Sequence, residues 1–430
     1  MTLADRIRGV LKTPAAAPGP RGPGLQQETG VVSGFSRTNI ESTLGGDWCD
    51  VDGCTCFIVE RCRDPSSVHG RETVESISRR LHDAIGEAAI LAGLPLEPPL
   101  LFFDLETTGL NGGAGTCAFL IGCGSFDAGG SFLTRQHLLA APEDERSLLT
   151  AVAAELARAG ALVSFNGKSF DAPLLETRYL YHRLEWTPRA LPHVDMLHVA
   201  RRFWKPVVAS AFRRTNIDES SCSLVALEQQ QLGHRRSGDV PGFEIPARYF
   251  HFVRSGDAGP LRAVFEHNRL DLLSLAALTA RALHLLKAGP ADTRDPREAL
   301  AIGNAYARAG LGPRAREAYQ RALDLSGRSS SIRLDALRAL AGSTRRSRQY
   351  EDAAGWWRQI LDVRGCPPHV AREAREALAI HHEHRSRDLA AARTFALQIL
   401  DAESQPAWGE AVRHRLARLD RKLERLNFEV

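Results

Sequence analysis

No run of 18 or more apolar residues occurs in the 430-residue sequence, and a membrane-spanning helix needs about 20. The sequence offers nothing to cross a bilayer. No secretory hydrophobic segment precedes the cysteines either, so disulfides are not expected and a cytoplasmic location is. Charge of one sign is also scarce. The net charge is +4, a weak footprint for a polyanion partner. What excess there is lies late: from residue 291 onward, 25 Lys and Arg face 19 Asp and Glu. Nearly all the basic residues are arginine, which suits bidentate phosphate contacts. Four of the eight cysteines crowd together as Cys49, Cys54, Cys56 and Cys62. Their spacing, C-x4-C-x-C-x5-C, fits no usual zinc pattern, so they read as small apolar residues of strands. What remains is a globular composition, 43% hydrophobic and 25% charged, with length for roughly two to three domains.

Residues 1–30 are expected to be a flexible N-terminal segment, rich in Ala, Pro, Gly and Gln over 13–30. Residues 31–97 read as an α+β extension that packs beside the next domain as an additional sheet. It holds short strand-like runs and a helix over 73–94. Residues 98–287 alternate differently. Three strands in hairpin connection are followed by helix, strand, helix, strand, helix, and Asp127-Ala-Gly-Gly130 marks a hairpin turn. That order predicts an α/β domain, a mixed sheet with flanking helices, of the ribonuclease H-like kind.

After residue 291 the pattern is helical only. Gly303, Tyr306, Gly310, Ala315, Tyr319 and Ala322 fall at positions 8, 11, 15, 20, 24 and 27 of a unit counted from Pro296. Those are the small and aromatic positions where two antiparallel helices of a tetratricopeptide unit interlock. The pairs Ala353 with Trp357 and Ala391 with Phe395 repeat Ala315 with Tyr319 at steps of 38 residues. Residues 291–430 are therefore expected to be an all-α, tetratricopeptide-like repeat domain.

The chemistry is concentrated in three short stretches. Asp104-x-Glu106 ends a strand-like run, and alternate residues of a strand face the same way. Two converging carboxylates suit Mg²⁺ or Mn²⁺; taken alone, a pair of solvated acids at a strand end is the plainer reading. Thr107-Thr-Gly-Leu110 follows, with small residues where backbone must lie close to a ligand. Asp171, in Asn166-Gly-Lys-Ser-Phe-Asp171, opens a helix, where it serves either as a cap or as a ligand. His267 and Asp271 stand four apart in a helix and share a face. An aspartate among Leu270, Leu272, Leu273 and Leu275 needs a partner or a wet cleft. Asp195 ends a strand nearby and reads as structural. Arg201, Arg202, Lys205, Arg213, Arg214, Arg235 and Arg236 could grip phosphates, with Phe203 and Trp204 stacking bases or packing inside.

Taken together, Asp104-x-Glu106-Thr-Thr-Gly-Leu, Asn166-x3-Phe170-Asp171 and His267-Asn-x2-Asp271 resemble the three exonuclease motifs of the DEDD (DnaQ-like) superfamily. With the helical repeats behind them, the chain is more narrowly similar to the bacterial YprB-like group. The resemblance implies Asp104, Glu106, Asp171 and Asp271 as ligands of two divalent ions, Mg²⁺ or Mn²⁺, and His267 as the residue that orients or deprotonates the attacking water. It implies Thr107, Thr108, Gly109, Leu110, Asn166, Phe170 and Asn268 at the substrate, with DNA or RNA as partner. One feature departs from the family, which has Tyr four before the last Asp or His five before it. Here Glu266 is five before Asp271 and His267 four before. Expected from this is a metal-dependent 3′–5′ exonuclease. A nucleic-acid-binding scaffold, with the repeats offering a concave surface to a protein partner, and a phosphatase-like metal hydrolase are the competing readings.

Overall fold

The structure, a computed structural model, describes residues 37–109, 115–204, 222–327, 331–400 and 406–428. The segment expected over 1–30 lies outside these residues, as do Leu110, Lys205, Arg213 and Arg214. Residues from Arg37 to Val430 cluster as one compact unit.

The chain enters with helix α1 (Arg37–Leu44), hairpin strands β1 (Asp47–Val51) and β2 (Cys54–Arg63), and the small pair β3 (Val68–His69) and β4 (Glu72–Thr73). Helix α2 (Val74–Ala84) starts at Thr73, whose hydroxyl accepts from the Ser76 amide at 3.2 Å. Short helix α3 (Ala88–Ala92) leads to β5 (Leu100–Thr107), β6 (Ala118–Phe126) and β7 (Phe132–Leu138). Between β6 and β7 the Asp127 amide bonds Ser131 carbonyl at 3.0 Å, and Gly130 takes the left-handed φ of 81° that the turn requires.

Helix α4 (Glu145–Leu156), β8 (Ala161–Ser164), α5 (Asp171–Tyr181), β9 (His193–Asp195) and α6 (Met196–Phe203) complete the alternating part. Further on come α7 (Leu224–Leu227), α8 (Ile245–Ser255) and the long α9 (Leu261–Ala288).

One seven-stranded sheet runs β1-β2-β7-β6-β5-β8-β9. β5, β8 and β9 are parallel and the remaining pairs antiparallel. The mixed sheet with flanking helices is as the sequence implied. The place of residues 31–97 is not. Apart from the small β3-β4 pair they join the main sheet: β2 pairs along β7 from Phe57↔Leu138 to Arg63↔Phe132 and β1 extends it. Without β2, the whole edge of β7 would leave backbone donors and acceptors unpaired. The clustered cysteines lie here, Cys49 opposite Cys56, and all are free thiols.

β5 is central and covered on both faces, with Leu101, Phe102, Phe103 and Leu105 buried. Helix α9 crosses the sheet and buries Leu272, Leu275, Leu278, Leu283 and Leu286. At about 1.5–3 kcal/mol for each such side chain, this packing fixes α9 against the end of β5.

Antiparallel helical pairs follow: α10 (Pro296–Arg308) with α11 (Gly312–Leu325), α12 (Ser331–Arg346) with α13 (Tyr350–Leu361), α14 (Pro368–His381) with α15 (Leu389–Leu400), and then α16 (Pro406–Phe428). In the first pair a Cβ on Gly303 would stand 2.6 Å from the Tyr319 ring, so glycine is what allows the two helices to close. In the third pair the register differs from the expected Ala391 with Phe395: Ala392, Ala396 and Ile399 are the buried residues, and Phe395 stacks on His382 at 5.7 Å. Among the described residues, no helix is long and apolar enough to cross a membrane.

Candidate metal centre

Asp104 and Glu106 stand two apart on β5 and therefore share a face. Beyond them the ladder with β6 shifts register between Glu106 and Thr107. Thr108 then closes the turn, its amide and hydroxyl meeting the carbonyl and amide of Cys117, each at 3.0 Å. The Thr107 hydroxyl donates to the Gly109 carbonyl at 2.9 Å. Both threonine hydroxyls are thus engaged in shaping the loop that follows the carboxylates.

Asp171 is the first residue of α5, and no side-chain bond caps that helix. The capping alternative for Asp171 is not realised. Its carboxylate is 6% exposed and accepts no hydrogen bond among the described residues. The loop in front of it is held by Asp195, whose carboxylate accepts from the amides of Asn166 (2.8 Å), Lys168 (3.2 Å) and Leu197 (3.0 Å). Asp195 is thereby saturated with donors and structural, as its position at a strand end suggested. Asn166 adopts a left-handed φ of 67° there and keeps its side chain exposed, and Phe170 is half-buried. Gly167 lets the loop pass close, because a Cβ would lie 2.4 Å from Ser164 Oγ and 3.0 Å from Asp171 Oδ2.

Helix α9 supplies three residues. Asn268 is fully buried: its Nδ2 donates to Asp104 Oδ2 at 2.9 Å, and its Oδ1 accepts from Gln136 Nε2 at 2.9 Å. Gly122, paired with Asp104 across the ladder, makes room, since a Cβ there would come within 2.1 Å of Asn268 Oδ1. Asn268 was expected at the substrate. Its burial and its spent amide make it instead the residue that orients Asp104. His267 and Asp271 face the same region, with His267 Nε2 3.5 Å from Asp271 Oδ2. One oxygen each of Glu106 and Asp271 and one ring nitrogen of His267 lie within 4.8 Å of one another.

Further charges lie behind this cluster. Arg236 is buried, and its guanidinium contacts Glu228 (Nε to Oε2, 2.8 Å), Asp239 (Nη1 to Oδ2, 3.2 Å) and Asp271 Oδ1. Asp239 Oδ1 in turn lies 2.6 Å from His267 Nδ1. Glu228 sits in a π-helical turn and Asp239 in a loop, so neither carries a periodic signal. Arg236 was expected to grip phosphate; the three carboxylates around it hold it inside. Phe203 and Trp204 are buried as well, and the Trp204 indole donates to Glu298 at 3.1 Å, which removes both from any base-stacking surface. Arg201, Arg202 and Arg235 are exposed.

The electrostatics follow from neighbouring carboxylates, Asp171 buried and Asp104, Glu106 and Asp271 half-buried. Burial, then the charges of Asp271, Glu106 and Asp171, push Asp104 well above the usual carboxylate range, against the hydrogen bond from Asn268. Burial with Asp271 and Asp171 does the same to Glu106. Burial and the nearby Asp195 raise Asp171 to about 7. Asp271 is raised by burial, with Arg236 and His267 opposing. Such a set is costly as anions without a cation, and hard oxygen donors on converging elements fit a divalent one. Among the described residues no cysteine joins a group close enough to hold a metal.

Residues 101–283 match the RNase_H superfamily. Over 201 residues the chain is 37% identical to an uncharacterized protein of Bacillus subtilis (strain 168), YprB, covering 46% of this chain and 45% of that protein. The chain thus spans less than half the length of that relative.

Proposed function

We propose that this protein is a metal-dependent nuclease, a 3′–5′ exonuclease that hydrolyses phosphodiester bonds of DNA or RNA. Asp104, Glu106, Asp171 and Asp271 would hold two divalent cations, Mg²⁺ or Mn²⁺. When bound, such a pair supplies an activated water and stabilises the leaving 3′ oxygen. One observation carries the reading: Asp171, which is buried, and Glu106 accept no hydrogen bond among the described residues, and both carboxyls are raised by burial, Glu106 also by the charges of Asp271 and Asp171. A buried acid with no donor needs either a proton or a cation.

The chain's own contributions are orientation and exclusion of water. Asn268 fixes the Asp104 carboxylate from behind, and Gln136 fixes Asn268. Asp195 ties down 166–168, so that Asp171 is presented from a rigid turn. Asn166 and Phe170, beside Asp171, and Thr107 to Leu110, beyond Glu106, would border the strand being cut. The exposed Arg201, Arg202 and Arg235 are candidates for its phosphates. The helical pairs, of tetratricopeptide kind in this reading, would present a surface to a protein partner.

The test is cleavage of 5′-labelled single-stranded DNA and RNA with Mn²⁺ or Mg²⁺, then with chelator, beside Asp104→Ala. The expected result is stepwise shortening from the 3′ end that chelator stops. Asp104→Ala should lower it at least about a thousandfold, as loss of several kcal/mol of charge stabilisation implies. Cleavage that persists in Asp104→Ala, or no cleavage of either substrate, would overturn the reading.

A further inference from the structure

His267 stands where two independent contacts decide what its ring can do. Its Nδ1 lies 2.6 Å from Asp239 Oδ1 and 3.4 Å from Arg236 Nη1. The guanidinium can only donate, so the short partner of Nδ1 is the carboxylate and Nδ1 carries the hydrogen. The lone pair of Nε2 is then turned inward. There it faces Asp271 Oδ2 at 3.5 Å, too far for a good N–H···O bond. Adjacent ligands of an octahedral ion with bonds of about 2.1 Å stand about 3 Å apart, and this gap is close to that. Arg236 engages Oδ1 of Asp271, which leaves Oδ2 as the oxygen directed at the pocket. Glu106, with no hydrogen bond among the described residues, completes a group within 4.8 Å.

We propose that His267 Nε2 is a ligand of one of the two cations, together with Glu106 and Asp271, and that Asp239 is the positioning residue that fixes its tautomer and ring orientation. This rests on the metal-centre reading above and assigns His267 away from the role of proton acceptor. It also explains why a histidine fits at the four-residue spacing: on one helical face, residues four apart reach the same ion. Carboxylate, histidine and metal in series is a common arrangement, because the carboxylate holds the ring and raises its basicity. A nitrogen in an otherwise all-oxygen set shifts preference from Mg²⁺ toward Mn²⁺.

The experiment is electron spin-echo spectroscopy of the full chain loaded with Mn²⁺, with Mn²⁺ and Mg²⁺ affinities measured by calorimetry. The wild type should show the ¹⁴N modulation of a directly bonded imidazole, and His267→Ala should lose it. The Mn²⁺ over Mg²⁺ affinity ratio should fall in His267→Ala, and Asp239→Asn should weaken Mn²⁺ binding about 10- to 100-fold. Melting curves of both variants report whether they fold, and the wild-type spectrum decides the point without them. Bound Mn²⁺ with no ¹⁴N modulation, or with unchanged affinity in His267→Ala, overturns the ligand assignment and leaves the metal centre standing. Absence of any Mn²⁺ binding to the wild type overturns both.

Discussion

Two carboxylates, one in each part of the molecule, are equally hidden from solvent and behave in opposite ways. Asp171, beside the sheet, is 6% exposed, and Glu383, among the C-terminal helices, is 4% exposed. Asp171 is pushed up to about 7, by burial and by Asp195. Glu383 is buried too, but its ion pairs outweigh that burial and hold it down at about 2. Arg418 reaches its two oxygens from Nε and Nη2 at 2.9 and 2.7 Å, and Lys422 Nζ lies at 2.8 Å. In the helical part a buried acid cross-links the turn that follows α14 to α16. In the sheet part it is an acid with no donor, facing other acids. Burial alone therefore says little about function; burial without a partner is what marks the site.

The strongest way to disturb this contrast is through Arg236, the internal cation of the sheet part. Arg236→Met leaves the fully buried Glu228 without its cation, and breaking a buried pair on one side costs about 3–5 kcal/mol. A large fall in the melting temperature is expected. An unchanged melting curve would mean that the Arg236 network carries no stability.

Asp171→Asn should move the other way, by about 1–2 kcal/mol in the metal-free protein at pH 8, because it removes a buried charge that has no donor. Calorimetric melting checks this, and a lower melting temperature would contradict it. Arg418→Met should destabilise by about 1 kcal/mol, a smaller loss because Lys422 remains on Glu383. Should it instead stabilise, Glu383 would not be the paired acid described here.

The pH dependence separates the two acids further. Asp171 has its folded value above its unfolded one. Its contribution is present below about pH 4 and is lost as pH rises through about 7. Glu383 is depressed, so its contribution is present above about pH 4.5 and is lost as pH falls toward 2.

The same contrast shows what could be read from the sequence. Asp104 and Glu106 were legible because a strand's period of two puts them on one face, and His267 with Asp271 because a helix puts residues four apart together. The order of strands and helices from β5 to α6 was legible from hairpin and helix signals. What escaped was whatever depends on contacts between segments distant in the chain. Glu228, Arg236 and Asp239 meet the site only because the fold brings a turn and a loop under α9. Asn268 looked like a cleft residue until Gln136 and Gly122, more than a hundred positions earlier, were seen to enclose it. β1 and β2 were recognisable as strands, but nothing local says which edge a strand will join. The third helical pair slipped by one residue because small residues run together as Ala390-Ala-Ala392, and only packing selects which faces inward.

The acids beside the sheet, Asp171 among them, are proposed as a cation site. This proposal is tested most directly by melting the protein with and without Mn²⁺ at pH 5.5 and pH 8, beside Asp171→Asn. Mn²⁺ at a hundred times its dissociation constant should stabilise by about 2.7 kcal/mol. This gain is expected to be larger at pH 8, where Asp171 has lost its proton, and to disappear largely in Asp171→Asn. A gain that is the same at both pH values and in both proteins would contradict it.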